Sequence, residues 1–264
     1  MLTERSARVV AAVKLHRHTA RRRERRFLAE GPNLIESALR RGLVSDIFAT
    51  EVAAQRYATL LQASPAPVHL VTERAAKGLS DTVTPAGLVA VCERPAADLH
   101  QVLAENPTLV AVAVGIGEPG NAGTLIRLAD ATGAGAVVLT ANSVDPYNGK
   151  ALRASAGSIF NVPVVVDPDT GAVLGSLRAA GLQILATVLD GDLCLDSAEP
   201  MLAAPTAWLF GEEAQGLPTQ AAVAADRRVR IPMAGAAESL NVAAAAAICL
   251  YQSARAQRRA TGRG

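Results

Sequence analysis

Three strand-like runs, at residues 109–114, 207–210 and 228–231, each break into a loop that contains glycine. In these loops a few polar side chains stand among apolar ones. Glycine lets the backbone approach a ligand closely, because it has no side chain and tolerates unusual dihedral angles. Loops of this kind at the ends of neighbouring strands predict a ligand cleft better than they predict core packing.

Strand-like and helix-like segments alternate along the chain. After residue 107 they lie at 109–115, 121–132, 136–140, 148–158, 162–166, 170–180, 183–189, 206–211, 227–232 and 239–256. Such alternation predicts an α/β fold with a parallel sheet covered by helices on both faces. Upstream, strand-like segments at 46–50, 68–71 and 88–92 predict a small α/β domain that precedes a linker at about 95–107. We therefore expect two domains, at residues 1–98 and 107–264.

The polar residues of the three loops form ordered motifs. The first reads Asn-x-Gly-x-x-x-Arg from Asn121 to Arg127, the second reads Gly-x-Glu-x-x-Gly-Leu from Gly211, and the third runs from Ile231 to Asn241 as Ile-Pro-Met-x-Gly…Ser-Leu-Asn. Together they resemble the motifs of the SpoU/TrmH family of SPOUT-class RNA ribose 2′-O-methyltransferases, over residues 107–256. The resemblance implies a C-terminal trefoil knot, S-adenosylmethionine as cofactor, and methyl transfer to RNA.

The resemblance also assigns roles to residues. It implies that main-chain groups of four residues hold the cofactor: Thr187, Gly211, Ile231 and Leu240. It implies that Arg127 acts in catalysis, and we expect a phosphate and oxyanion clamp because a guanidinium stays protonated. The other catalytic candidates orient Arg127 and the ribose: Asn121, Glu213, Ser239 and Asn241. Simpler roles stay open: Arg127 as a surface side chain, Asn121 and Ser239 as helix N-caps, and Ile231 and Leu240 as core residues.

The net charge of +2 hides a basic N-terminus, in which residues 1–30 carry nine Arg or Lys against three Glu. Unless an anion neutralises them, so many cations repel one another, and a nucleic-acid backbone is a natural partner. The predicted RNA-binding residues are Lys14, Arg17, Arg21, Arg22, Arg23, Arg25 and Arg26, with Arg153 and Ser155 as further RNA-facing candidates. The alternative is a solvated helix end without a partner.

The segment 27–32, Phe-Leu-Ala-Glu-Gly-Pro, resembles the opening of the L30e-like substrate-binding domain that precedes many SpoU catalytic domains. This arrangement resembles the ribosomal-RNA branch of the family, which includes the thiopeptide-resistance methyltransferases, so we expect 23S ribosomal RNA as substrate. Three alternatives stay open: a transfer-RNA 2′-O-methyltransferase, a Rossmann-type nucleotide-binding transferase, and a non-catalytic RNA-binding module. The Rossmann alternative rests on Gly-x-Gly-x-x-Gly at 115–120. However, the next strand lacks a carboxylate before Asp145, and Pro119 lacks an amide hydrogen for a phosphate.

The remaining composition predicts a cytoplasmic protein without a membrane span or a metal. No apolar run reaches 18 residues, and the three cysteines and four histidines lack metal-binding or disulfide spacing. The last predicted helix, from 241 to about 257, is apolar nearly all round. A helix of that kind favours burial on more than one side, and the family resemblance implies a homodimer through the catalytic domain.

Overall fold

A computed structural model describes residues 1–212 and 215–262 of the chain. Its internal contacts divide the chain into two compact units. Unit 1 comprises Met1–Ala96 together with Asp145–Phe160, and unit 2 comprises Ala97–Val144 together with Asn161–Gly264. The segment from residue 145 to 160 therefore groups with the N-terminal part of the chain, although the sequence analysis assigned it to the second domain.

The strands, in chain order, are β1 (Arg26–Glu30), β2 (Val44–Ala49), β3 (Val68–Leu70), β4 (Leu88–Glu93), β5 (Leu109–Val114), β6 (Ala136–Thr140), β7 (Val164–Val166), β8 (Gln183–Thr187), β9 (Leu193–Cys194), β10 (Thr206–Phe210) and β11 (Arg227–Arg230). The helices are α1 (Ala7–Val13), α2 (His18–Glu24), α3 (Pro32–Arg40), α4 (Glu51–Arg56), α5 (Ala58–Gln62), α6 (Glu73–Leu79), α7 (Leu99–Ala104), α8 (Pro119–Thr132), α9 (Gly149–Ser155), α10 (Thr170–Ala179), α11 (Glu199–Leu202), α12 (Thr219–Val223) and α13 (Val242–Ala260). Short 3₁₀ turns join some of them.

Unit 1 contains a four-stranded mixed sheet in the order β1-β4-β2-β3. Strand β4 is antiparallel to both of its neighbours, and β2 is parallel to β3. Every residue of β4 except the last is buried, as expected for an inner strand. One face of the sheet packs against α1 and α6 through Leu28, Phe48, Val89, Val9 and Leu79. Helix α3 begins at Pro32, where a first-turn proline fits.

Unit 2 contains a seven-stranded, all-parallel sheet in the order β7-β6-β5-β10-β8-β11-β9. Alternate residues of a strand face opposite sides of the sheet. On one side, Ala207 and Leu209 of β10 belong to a core formed with α7, α10 and α12. On the other side, Trp208 of β10 donates a hydrogen bond to Ser253 of α13 at 2.8 Å. Helices therefore cover both faces, which confirms the predicted α/β fold with a parallel sheet, whereas the trefoil knot stays a prediction.

Several elements differ from the sequence-based expectation. The last helix begins at Val242 and not at residue 239, and the helix of the first motif begins at Pro119 and not at residue 121. The sequence pattern did not reveal β9 and α11, which have two and four residues. Such short elements leave too little periodicity to detect. No described helix combines the length and apolarity that a membrane crossing requires.

Candidate active site

A cleft of about 460 Å³ lies in unit 2 where β8, β10 and β11 end. Thr187 is the last residue of β8, Gly211 follows β10, and Ile231 follows β11. Because carboxyl ends of parallel strands meet at one edge of a sheet, these three residues line the same cleft. Leu240, from the loop before α13, completes the set. The structure therefore brings together all four residues that the sequence analysis grouped as cofactor-binding.

The loop after β10 folds back tightly on the end of its strand. The amide of Gly216 donates a hydrogen bond to the carbonyl of Glu212 at 2.8 Å, and Gly216 adopts a φ of 68°. A Cβ atom at Gly211 would lie 2.3 Å from the carbonyl carbon of Gly216 and from the amide nitrogen of Leu217. Because backbone atoms cannot move aside as a flexible side chain can, this position requires glycine.

A side-chain hydrogen bond connects the first motif to the third. Asn241 Nδ2 donates to Asn121 Oδ1 at 3.2 Å. The other polar atom of the Asn241 side chain, Oδ1, accepts from the amides of Ala243 and Ala244 and so caps α13. Asn241 therefore caps α13 and also binds the side chain of Asn121, the first residue of the first motif.

The structure excludes the alternative roles of Asn121 and Ser239 as helix N-caps. The cap of α8 is Glu118, whose Oε2 accepts from the amide of Asn121 at 2.7 Å, so Asn121 lies in the first turn with its side chain available for Asn241. The cap of α13 is Asn241, and Ser239 lies in the preceding loop, where it lines the cleft. The side chain of Asn121 therefore contacts Asn241, and Ser239 belongs to the cleft wall, instead of capping a helix.

Arg127 has an exposed side chain on α8. The described residues that line the cleft include neither Arg127 nor Asn121. Glu213, the expected partner of Arg127, lies outside the described residues. The pairing of Arg127 with Glu213 therefore stays a prediction.

Acidic side chains also line the cleft, and the sequence analysis did not identify them. They are Asp190, Glu212 and Glu238. The guanidinium of Arg228 lies 2.5 Å from Asp190 Oδ2, and this hydrogen bond, together with the positive charge, lowers the pKa of Asp190. Asp190 could have been identified by its position just after β8. A cleft with apolar walls and carboxylates suits a ligand that carries positive charge and hydrogen-bond donors.

The structure separates the predicted RNA-binding residues into two groups. Arg21 is buried, and its Nε donates to Asp145 Oδ2 at 2.7 Å while its Nη1 donates to the carbonyls of Leu15 and His16. Ser155 is fully buried and donates to the carbonyl of Leu152 at 2.8 Å. Neither residue faces solvent, contrary to the expectation that both contact RNA. Arg153 is partly exposed and forms an ion pair with Asp81.

The other basic residues of the N-terminal segment are exposed, and we call them the basic surface: Lys14, Arg17, Arg22, Arg23, Arg25 and Arg26. Helix α2 buries Ala20 and Arg21 and leaves its arginine-rich remainder in solvent. Among residues 1–212 and 215–262, no group of His, Cys, Asp and Glu side chains is arranged to hold a metal ion.

Comparison with known proteins agrees with this geometry. The chain matches the model of the SpoU rRNA Methylase family over residues 108–251 and the model of the MRM3-like substrate binding domain over residues 7–90. A Bacillus subtilis protein named 23S rRNA (guanosine(2553)-2'-O)-methyltransferase RlmP is 33% identical over 243 residues, which are 90% of this chain and 92% of that protein.

Two solved structures are similar over nearly the whole chain. The SpoU methyltransferase AviRb from Streptomyces viridochromogenes, in complex with the cofactor AdoMet, has a TM-score of 0.83 and 31% identity, and the match covers 95% of this chain and 98% of that one. The AdoMet-bound rRNA methyltransferase from Sinorhizobium meliloti has a TM-score of 0.80 and 30% identity, with 95% of each chain covered.

Proposed function

This chain belongs to the SpoU rRNA methylase family and is an S-adenosylmethionine-dependent RNA ribose 2′-O-methyltransferase, and we propose that its substrate is 23S ribosomal RNA. The name of the Bacillus subtilis relative supports this substrate, as does the similarity to a 23S rRNA (uridine(2479)-2'-O)-methyltransferase from Streptomyces viridochromogenes, which is 37% identical over 174 residues. That match covers 65% of this chain and 61% of that protein. Family membership favours this activity over a Rossmann-type transferase or a non-catalytic RNA-binding module.

The main observation that supports the proposal is that four predicted cofactor-binding residues line one cleft: Thr187, Gly211, Ile231 and Leu240. S-adenosylmethionine supplies a methyl group on a positively charged sulfur. The cleft fits such a group, because glycines and apolar side chains line it together with carboxylates. The carboxylates of Glu212 and Glu238 give the cleft negative charge, whereas that of Asp190 is paired with Arg228. We assign main-chain contacts with the adenosine to the four named residues.

We assign to Arg127 the phosphate beside the target ribose. Its guanidinium stays protonated, so it binds a phosphate through paired hydrogen bonds and stabilises the alkoxide that develops on the 2′-oxygen. The hydrogen bond between Asn121 and Asn241 keeps the start of α8 next to the cleft loop that carries Ser239. We assign to Asn121, Ser239 and Asn241 the orientation of the ribose, and to Glu213 the orientation of Arg127.

We further propose that the protein acts as a homodimer through unit 2. Helix α13 exposes Ala244, Ile248 and Tyr251, which lie on one stripe of the helix, and Tyr251 is 56% exposed. Since Arg127 does not line the cleft of its own chain, Arg127 of the partner subunit would complete the site. A monomeric mass in light scattering at micromolar concentration would contradict this arrangement.

The same proposal assigns residues 1–98 to RNA binding and residues 107–264 to catalysis, in a cytoplasmic enzyme. The match of residues 7–90 to a substrate binding domain supports the first assignment. The exposed arginines of the basic surface support it as well, because they present positive charge to a phosphate backbone.

Comparison of 2′-O-methyl sites in RNA from cells with and without this protein tests the proposed substrate. We expect at least one site in 23S ribosomal RNA to disappear when the protein is absent and to return with the wild-type gene. If a site disappeared only from transfer RNA, the substrate would be transfer RNA and not 23S ribosomal RNA. The assigned reaction, ribose 2′-O-methylation, would still hold.

A further inference from the structure

A separate cavity of about 120 Å³ lies within unit 1, and we call it the unit 1 cavity. Strand β1 contributes Leu28 and Glu30, the end of α6 contributes Leu79, and α9 contributes Lys150 and Arg153. Helix α9 belongs to the segment that groups with unit 1. The catalytic assignment above uses none of these side chains as a partner for the methyl donor or the ribose.

Apolar side chains form about half of the wall of the unit 1 cavity. They include Leu15, Leu28, Leu34, Leu79, Leu152 and Tyr147. Burial raises the pKa of Tyr147 to about 12, so its hydroxyl stays neutral. A cavity of about 150 Å³ with aliphatic and aromatic walls is known to accept a benzene ring. The unit 1 cavity, at about 120 Å³, is smaller but not enclosed, so it has room for the edge of one small planar ring that enters from solvent.

Glu30 lines this cavity, and the two oxygens of its carboxylate differ in their hydrogen bonding. Its Oε1 accepts hydrogen bonds from Ser80 Oγ at 2.6 Å and from Thr82 Oγ1 at 2.9 Å. Its Oε2 is shielded from solvent and has no hydrogen-bond partner among the described residues. A buried carboxylate oxygen without a donor is costly, so an occupant with an N–H or O–H group would stabilise it.

The charges around the cavity favour a neutral occupant. Three cations line it, Arg21, Lys150 and Arg153. Arg21 pairs with Asp145, and Arg153 pairs with Asp81, which also lines the cavity. Carboxylates of unit 1 therefore balance both guanidinium charges. A phosphate group would add negative charge beside Glu30, whereas a neutral ring with a donor would not.

We propose that the unit 1 cavity receives one unpaired nucleobase of the RNA substrate, with an N–H of its Watson–Crick edge donated to Glu30 Oε2. Proteins that read single-stranded RNA commonly hold a splayed-out base between apolar or aromatic side chains and hydrogen-bond its edge. The inference rests on RNA being the substrate. It adds a base-reading site to the phosphate contacts of the basic surface, so unit 1 recognises RNA by shape and sequence as well as by charge.

The test compares Glu30→Gln with Glu36→Gln in the full-length protein. Both changes remove one negative charge. Glu36 is a matched control, because it is exposed on α3 and pairs only with Arg40 in the described structure. A glutamine at position 30 can still accept from Ser80 and Thr82, but it no longer offers a carboxylate oxygen to the cavity. RNA binding to a 23S fragment is measured at several salt concentrations, alongside cofactor binding and thermal melting.

We expect Glu30→Gln to bind the RNA fragment roughly tenfold or more weakly, because a hydrogen bond to a charged group is lost. The salt dependence of RNA affinity should not change, since every phosphate-binding cation is retained. Cofactor affinity should also stay the same, and Glu36→Gln should behave as wild type. Equal RNA affinity for wild type and Glu30→Gln would overturn the proposal and leave ordered water as the occupant.

Crosslinking tests the proposal without a folding risk, because it uses the wild-type protein. Fragments that carry 4-thiouridine or 6-thioguanosine at unpaired positions are irradiated in the complex, and the crosslinked peptides are mapped. We expect at least one position to crosslink to the peptide containing Tyr147 or to β1. Crosslinks confined to the basic surface would overturn the base-binding site. Failure of the wild type to methylate ribosomal RNA would instead contradict the proposed function.

Discussion

The cofactor cleft of unit 2 and the basic segment of unit 1 differ in how directly their sequence predicts their structure. The cleft is lined by four residues that are far apart in sequence and that the sequence analysis had grouped together: Thr187, Gly211, Ile231 and Leu240. In the basic segment, neighbouring arginines have different environments. Arg21 is 8% exposed and pairs with Asp145, whereas Arg22 and Arg23 are exposed.

Position relative to a strand end therefore predicts where a side chain lies better than charge does. The end of a parallel strand fixes where a loop residue lies, because the sheet sets the geometry of all its loops. A run of arginines fixes only the net charge of a segment. Which member is buried depends on the face of α2 that packs inward and on a carboxylate that lies 124 residues away.

The largest expected effect concerns Arg21. Replacement of Arg21 with Gln breaks a largely buried ion pair and leaves Asp145 without its partner, so the free energy of unfolding should fall by about 3–5 kcal/mol. Arg22→Gln removes the same charge at an exposed position and should change stability little. Denaturant unfolding of both variants checks this contrast. Equal stability of the two variants would show that the ion pair between Arg21 and Asp145 does not support unit 1.

In unit 2, Arg127→Ala should reduce the rate of methyl transfer by about 10²–10³-fold, the usual effect of removing one group that stabilises developing negative charge. Cofactor affinity should change little, because the proposed partners of Arg127 are the RNA phosphate and the developing alkoxide and not the methyl donor. Arg259→Ala, at an exposed position that pairs with Glu199, is the control. Single-turnover kinetics and calorimetry measure the two effects. Loss of cofactor binding in a folded Arg127→Ala protein would refute the assigned role.

The cleft loop itself is tested by Gly211→Ala. Its Cβ would lie within 2.4 Å of backbone atoms of the returning loop, so the loop must shift and cofactor affinity should fall by about tenfold or more. Gly175→Ala is the control, because a Cβ at that position in α10 would have no neighbour within 4 Å. RNA affinity should be similar for both variants. A Gly211→Ala protein with wild-type cofactor affinity would indicate that the methyl donor binds elsewhere.

The smallest expected effect is on the basic surface. Combined replacement of Arg22, Arg23, Arg25 and Arg26 with Gln should weaken RNA binding and flatten its dependence on salt. The logarithmic slope should fall by roughly 0.7 for each phosphate of single-stranded RNA that the protein no longer neutralises. Arg40→Gln, an exposed change on α3, controls for the loss of charge alone. An unchanged slope would indicate that these arginines form a solvated helix end and do not bind RNA phosphates. Arg21 and its neighbours would then differ in burial but not in RNA binding.

Much of the fold of unit 2 could be predicted from the sequence because its strands are long apolar runs. All six residues of β5 are buried, which is why the run at 109–114 gives such a clear signal. The short strand β9 gives no comparable signal. The position of α9 could not be predicted either, since its periodicity indicates a helix but not the unit against which that helix packs.

The same limit applies to the candidate site. The motifs placed Asn121, Ser239 and Asn241 near one another, but residue type alone could not show which of them caps a helix. Serine and asparagine are both favourable caps, and the choice depends on where the chain turns into α13. The buried oxygen of Glu30 was equally hidden, because its two hydroxyl partners, Ser80 and Thr82, lie about 50 residues further along the chain.

The most direct test of the central claim is methyl transfer in vitro from labelled S-adenosylmethionine to a 23S ribosomal RNA fragment and to DNA of the same sequence. We expect label on RNA alone, because DNA lacks the 2′-hydroxyl. We also expect the labelled nucleotide to resist alkaline cleavage on its 3′ side, since a methylated 2′-oxygen cannot attack the adjacent phosphate. Label on DNA, or label on a base with alkaline cleavage intact, would contradict ribose 2′-O-methylation.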